Sequence, residues 1–141
     1  MKVQEIKLQY NDKMTVQDAP KITQSEEAVE VFRKYMKDDL MYREVVYAML
    51  LNRNNRVKGI FKLSEGGIHA SVVDVKLLMA VALKTLASGI ILAHNHPSGN
   101  CLASEQDLKT TKSLKRACEF MDITFLDHII ITDNEYKTIE T

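Results

Sequence analysis

The stretch Gly89-Ile90-Ile91-Leu92-Ala93-His94-Asn95-His96-Pro97-Ser98-Gly99-Asn100, followed by Ser104 and Asp107, decides how the rest of the chain is read. Residues 89–93 form a short, continuously apolar run bounded by a glycine, as expected of a strand buried on both faces. The run delivers His94-Asn95-His96 at its end. Pro97, Gly99 and Asn100 then make a loop, and Ser104 starts a helix whose apolar stripe is Leu108, Thr111, Leu114, Cys118 and Met121. Strand, loop and helix in this order make one β-α unit with two histidines at its turn.

Working towards the N-terminus, Asp74 is an N-cap for a very apolar helix of about residues 75–87, with Gly89 placed as its C-terminal glycine. A short strand is expected near residues 68–72. Residues 43–51 alternate with both faces largely apolar, Val45, Tyr47, Met49 and Leu51 against Glu44, Val46, Ala48 and Leu50, which points to a central strand. Asn52-Arg53-Asn54-Asn55-Arg56 is a turn, and Val57 to Leu63 pairs back as its hairpin partner. Thr23-x-x-Glu26 has capping-box spacing before a helix carrying Ala28, Val31, Phe32, Tyr35 and Met36. Ile6, Leu8 and Tyr10 alternate as in a half-buried strand over residues 5–10.

Towards the C-terminus, residues 123–132 read as a strand around Leu126-Asp127-His128, and 135–139 as a last one. Strands and helices alternate without repeats or linkers, so the expected architecture is a single α/β domain over residues 1–141, a mixed β-sheet sandwiched by helices. Composition agrees. A chain of 141 residues with 45% hydrophobic residues buries a core without a disulfide framework, which two cysteines could not supply. The longest run without a charge, residues 85–104, is broken by Gly89, His94, Asn95, His96 and Pro97, so no membrane span is expected. No leader opens the chain, and it reads as cytoplasmic. Nineteen basic and 19 acidic residues balance, leaving no global field for nucleic acid.

Side chains two apart on a strand share a face, with Cα atoms roughly 7 Å apart, so His94 and His96 can converge on one ion. Asp107, in the first turn of the next helix, can supply a third ligand. Two histidines and one carboxylate leave a fourth tetrahedral position for water, the coordination of a catalytic zinc. Glu44 is the candidate base, being the only acid in residues 41–64 and facing an otherwise apolar strand face. Each residue has a plainer reading: polar side chains where a strand leaves the sheet, a Ser104-Asp107 capping pair, a solvated carboxylate. The joint pattern H-x-H-x7-S-x2-D, however, arises by chance in roughly three of ten thousand such chains.

His94-Asn95-His96-Pro97-Ser98-Gly99-Asn100 with Ser104 and Asp107 resembles the JAMM (MPN+) metalloprotease motif in the form seen in RadC-like proteins. The likeness extends from Glu44 through Asn52-Arg53-Asn54, Gly59, Ser64, Gly66-Gly67 and the helix from Asp74 to Leu126-Asp127-His128-Ile129-Ile130, covering about residues 20–136. The resemblance implies a cytidine-deaminase-like α/β/α sandwich and a zinc ion held by His94, His96 and Asp107. It further implies Glu44 as acid/base on the zinc-bound water and Ser104 as hydrogen-bond donor to the oxyanion, in a hydrolase of peptide or isopeptide bonds. The chain departs from the family in three places. Ala103 stands where a proline is common; no room precedes the first helix for the helix-hairpin-helix segment of longer relatives; and the chain ends at Thr141, without the small C-terminal extension of many.

The expected partner is a protein or peptide substrate. The alternative is a DNA-associated accessory protein, for which residues 41–64 offer five Lys/Arg against one Glu. A scaffold of the same fold is a third reading; an HNH nuclease is not, because those three residues are spread over a ββα-metal unit. His128 and Asp127 read as structural, with support of the site from behind its ligands as the alternative. Cys101 reads as a small loop residue, the alternatives being a fourth ligand or a redox switch. Cys118 belongs to the core, His69 to the surface or packing, and Lys109, Lys112, Lys115 and Arg116 to a solvated helix face.

Overall fold

The computed structural model describes residues 1–7, 9–66 and 73–140. After a 3-10 turn at Val16–Asp18 come α1 (Ser25–Met36), β1 (Val45–Leu51), β2 (Val57–Glu65), α2 (Val75–Lys84), β3 (Gly89–Asn95), α3 (Glu105–Phe120), β4 (Thr124–Ile131) and β5 (Tyr136–Thr138). The strands form one sheet in the order β2-β1-β3-β4-β5. β1 runs antiparallel to both β2 and β3, β3 is parallel to β4, and β4 is antiparallel to β5. Parallel neighbours cannot be joined by a tight turn, and α3 is the crossover that joins β3 to β4.

Two-sided burial explains the apolar strands. Every residue from Val45 to Leu51, and from Gly89 to Asn95, is buried. Val45, Tyr47, Met49 and Leu51 pack with Phe32 and Met36 of α1 on one face. Val46, Ala48 and Leu50 pack with Leu78 and Ala82 of α2 and with Leu114 and Cys118 of α3 on the other. Each valine, leucine, phenylalanine or methionine among them contributes roughly 1.5–3 kcal/mol of burial, so β1 and β3 form a packed platform for the polar residues at their ends. The mixed sheet flanked by helices is the architecture expected from the alternating elements.

Four local expectations are corrected. Residues 5–7, 9 and 10 form no strand and are exposed, because alternation becomes a strand only beside a ladder partner. The segment beside β2 is instead Pro20 to Ile22: Ile22 N–H donates to the Asn55 carbonyl, Val57 N–H to that of Pro20, and Ile22 is buried. Thr23 bonds Glu27, not Glu26, through both its N–H and its hydroxyl; α1 starts at Ser25 and its N-cap Gln24 makes no side-chain cap. Glu26 accepts the Tyr136 hydroxyl instead.

The helix expected to reach residue 87 ends at Lys84. Ala87 N–H bonds the Ala82 carbonyl and Leu86 N–H that of Leu83, a Schellman closure that places Leu86, not Gly89, in the left-handed region at φ 54°. Gly89 begins β3, where a Cβ would lie 3.0 Å from Leu126 Cδ1. Of the α3 stripe, Thr111, Leu114 and Cys118 are buried but Met121 is exposed. The strand expected near residues 68–72, and His69, lie outside the described residues.

The basic excess of residues 41–64 is largely spent within the fold. Arg43 pairs with Asp39 and Glu65, and Lys62 with the same two carboxylates. Arg56 donates to the Gln17 and Ala19 carbonyls and Lys58 to that of Leu86. No helix among the described residues is long and apolar enough to cross a membrane.

Candidate metal centre

The carboxyl end of β3, flanked by antiparallel β1 on one side and parallel β4 on the other, meets the amino end of α3. The loop between them turns tightly: Gly99 N–H bonds the His96 carbonyl, and Gly99 takes φ +84°, which a side chain would strain. α3 then starts at a complete capping box. Ser104 Oγ accepts the Asp107 N–H at 3.0 Å, and Asp107 Oδ2 accepts the Ser104 N–H at 2.9 Å. The capping and ligand readings of this pair are therefore compatible, since the box holds the Asp107 carboxylate in place.

His94 Nε2 lies 2.9 Å from His96 Nε2 and 3.3 Å from Asp107 Oδ1, and His96 Nε2 lies 3.4 Å from Asp107 Oδ2. Ligands at about 2.0–2.1 Å around a tetrahedral ion lie about 3.3 Å from one another. His94, His96 and Asp107 can thus hold a metal ion, and Cys101 is not among the converging ligands. The donor chemistry agrees. His96 Nδ1 is 2.6 Å from the Asn100 carbonyl, which can only accept, so the ring's proton sits on Nδ1 and its bare Nε2 faces the carboxylate. Such a set of acceptors is short of a cation.

In the metal-free protein, burial pushes Asp107 upwards, but the proximity of His94 and His96 outweighs it and holds the carboxyl below the usual carboxylate range. His96 is raised chiefly by Asp107, against its own burial, with the Asn100 carbonyl and Glu44 acting in the same direction. Glu44 is half-buried and precedes β1. It lies just beyond the last ladder pair, Val46 with His94, and near enough to His96 to act on it electrostatically. Ser104 is exposed at the rim.

Sequence reasoning missed two supporting residues, Asn95 and Thr111, and gave a third, His128, its supporting role only as the alternative to a structural one. Asn95, fully buried, turns to the opposite face from the histidines and holds the segment before β1. Its Oδ1 accepts the Val45 N–H at 2.8 Å, and its Nδ2 donates to the Leu40 and Arg43 carbonyls at 2.9 Å each. Both peptide groups flanking Glu44 are thereby tied to the strand that carries the histidines. His128 is no bystander: its Nε2 lies 2.8 Å from His94 Nδ1 and its Nδ1 lies 2.7 Å from Thr111 Oγ. Burial, followed by the proximity of His94, pushes His128 down to about 3, so its ring is neutral. Thr111, read as a stripe position, is the other missed residue. The signals were a polar Asn of odd parity in an apolar strand and a second His in a parallel neighbour, but only the register joins them.

Asp127 stands apart from the ligands, accepting the His128 N–H and the Ser25 hydroxyl. Cys101 Sγ faces Thr132 Oγ at 3.9 Å, and burial raises its thiol.

Comparison with known proteins agrees with this geometry. The family model described as RadC-like JAB domain matches residues 22–141. A UPF0758 protein of Flavobacterium johnsoniae is 39% identical over 116 residues, covering 82% of this chain and 50% of its own. One from Coprothermobacter proteolyticus is 36% identical over 137 residues, covering 96% of this chain and 58% of its own. One from Actinobacillus pleuropneumoniae serotype 5b is 42% identical over 98 residues, covering 70% and 44%. The chain spans about half the length of the curated relatives it matches. With the match over residues 22–141 and the ligand group on the β3–α3 turn, the chain belongs to the RadC-like JAB domain family.

Proposed function

We propose that the chain is a zinc-dependent hydrolase of peptide or isopeptide bonds. The observation that carries this reading is the convergence of two imidazole nitrogens and one carboxylate at the carboxyl end of β3, with a second carboxylate, Glu44, near enough to act on His96 electrostatically. Two nitrogens, one carboxylate and an open fourth position are the donor set of catalytic zinc. Bound there, zinc supplies Lewis acidity, polarising a carbonyl and making water a nucleophile near neutral pH.

The chain's own residues do the remainder. Glu44 takes the proton of the attacking water at its carboxylate and delivers it to the leaving amine. Half-burial and the Asn95 bonds to the peptide groups on either side of it limit its search. Ser104 Oγ accepts the Asp107 N–H through a lone pair, which leaves its hydroxyl hydrogen to donate to the oxyanion formed on the substrate carbonyl. The DNA-associated alternative draws on bases of which Arg43, Arg56, Lys58 and Lys62 already have partners in the fold, and so has less support.

The test is a whole-proteome cleavage comparison of the zinc-loaded chain with Glu44→Gln. The substitution keeps the ligands and removes the base, and cleavage should fall by roughly 10²–10⁴-fold. Equal cleavage patterns from the two proteins would remove the hydrolase reading.

A further inference from the structure

We propose that Thr111 and His128 are positioning residues that fix the tautomer of His94 and hence which of its nitrogens faces the metal. The inference rests on reading His94, His96 and Asp107 as a metal site, but not on the hydrolysis.

The argument is an accounting of protons along a buried chain. Thr111, His128 and His94 are 0%, 2% and 2% exposed, so no solvent proton enters the account. Thr111 Oγ lies 2.9 Å from the Asp107 backbone carbonyl. A carbonyl only accepts, so the one hydroxyl hydrogen of Thr111 points there. Thr111 Oγ must then accept from His128 Nδ1 at 2.7 Å, which puts the His128 proton on Nδ1 and leaves its Nε2 bare. That Nε2 lies 2.8 Å from His94 Nδ1 and must be an acceptor, so His94 carries its proton on Nδ1. Nε2 of His94 is left bare, and it is the atom that faces His96 and Asp107.

The other tautomer of His128 would set its bare Nδ1 against the Thr111 oxygen, whose hydrogen is on the Asp107 carbonyl. The relay begins on the backbone of the very residue whose side chain is the third ligand. Thr111 is one turn after Asp107, so the first two turns of α3 present the carboxylate and, through Thr111 and His128, set the ring across from it. His96 is fixed in the same sense by a different carbonyl, that of Asn100. Both rings are therefore prepared as ligands before any metal arrives. A hydrogen bond to the remote N–H also raises a ligating ring's basicity and holds its orientation.

The experiment has two readouts on the full chain. Long-range proton–nitrogen correlation spectra of ¹⁵N-histidine-labelled, metal-free protein assign the His128 tautomer; the expected result is a proton on Nδ1 and a bare Nε2. Zinc affinity is then compared among wild type, Thr111→Val and Thr111→Ser. Valine keeps the shape and removes the hydroxyl, and should weaken zinc about 10–100-fold, while serine should restore it; a role in packing alone would make serine the worse replacement. A wild-type His128 protonated on Nε2, or wild-type zinc affinity in Thr111→Val, overturns the proposal. If the chain hydrolyses nothing but the tautomer and affinity results hold, the hydrolase reading fails and this one stands.

Discussion

The carboxamide of Asn95 accepts the backbone N–H of Val45 at 2.8 Å, tying the end of β3 to the start of β1. With its donations to the Leu40 and Arg43 carbonyls, this makes a completely buried side chain the fastener between the two halves of the site. Asn95→Ala leaves several buried backbone groups unpaired at about 1–3 kcal/mol each, so a loss of about 3 kcal/mol or more is expected in denaturant unfolding. Asn95→Asp should be worse at neutral pH, because a carboxylate would face carbonyl oxygens. A loss below about 1 kcal/mol in Asn95→Ala would mean that the segment before β1 holds itself in place.

Leu86 supplies a prediction remote from the site. It is 78% exposed and closes α2 at φ 54°. Left-handed backbone costs a residue with a Cβ about 1–2 kcal/mol, and glycine returns roughly 0.5–1 kcal/mol of that through its unfolded-state freedom. Leu86→Gly should therefore stabilise the protein by up to about 1 kcal/mol and raise the thermal midpoint. Destabilisation would show that the leucine side chain contributes packing that its exposure does not suggest.

Asp127 supplies a pH dependence. Burial raises its carboxyl, and the bonds from His128 N–H and Ser25 only partly oppose this. The native state then binds the proton at higher pH than the unfolded chain. This contribution to stability accordingly falls as pH rises from the ordinary carboxyl value of about 3.9 through the raised native one. Asp127→Asn should be more stable than wild type at neutral pH, and its advantage should shrink on acidification through that window. A variant that is less stable at neutral pH, or an advantage independent of pH, would refute the assignment of the shift to burial.

The middle of the fold was legible because its signals are local. The apolar run before His94, the two-faced alternation of Val45 to Leu51 and the spacing from Ser104 to Asp107 each state a period or a cap, and the structure places them as β3, β1 and the start of α3. The ends misled for a physical reason. Ile6 and Tyr10 alternate correctly yet have no ladder beside them, and Leu86 takes a conformation normally left to glycine because the Schellman bonds to Ala82 and Leu83 impose it. The convergence of His94, His96 and Asp107 was readable from spacing. Its supports were not, because the bond between His94 and His128 depends on a parallel register, Leu92 against His128 and His94 against Ile130, that no sequence period encodes.

The central claim, a catalytic metal centre on the β3–α3 turn, is tested most directly by calorimetric titration of the metal-free chain with zinc. Wild type and Glu44→Gln should each bind one zinc ion per chain at similar affinity, because Glu44 is not a ligand, and His96→Ala should lose that binding. At a hundredfold excess of free zinc over its dissociation constant, the ion should stabilise wild type by about 2.7 kcal/mol. Wild-type protein that takes up no zinc, or His96→Ala that binds it as wild type does, would contradict the account.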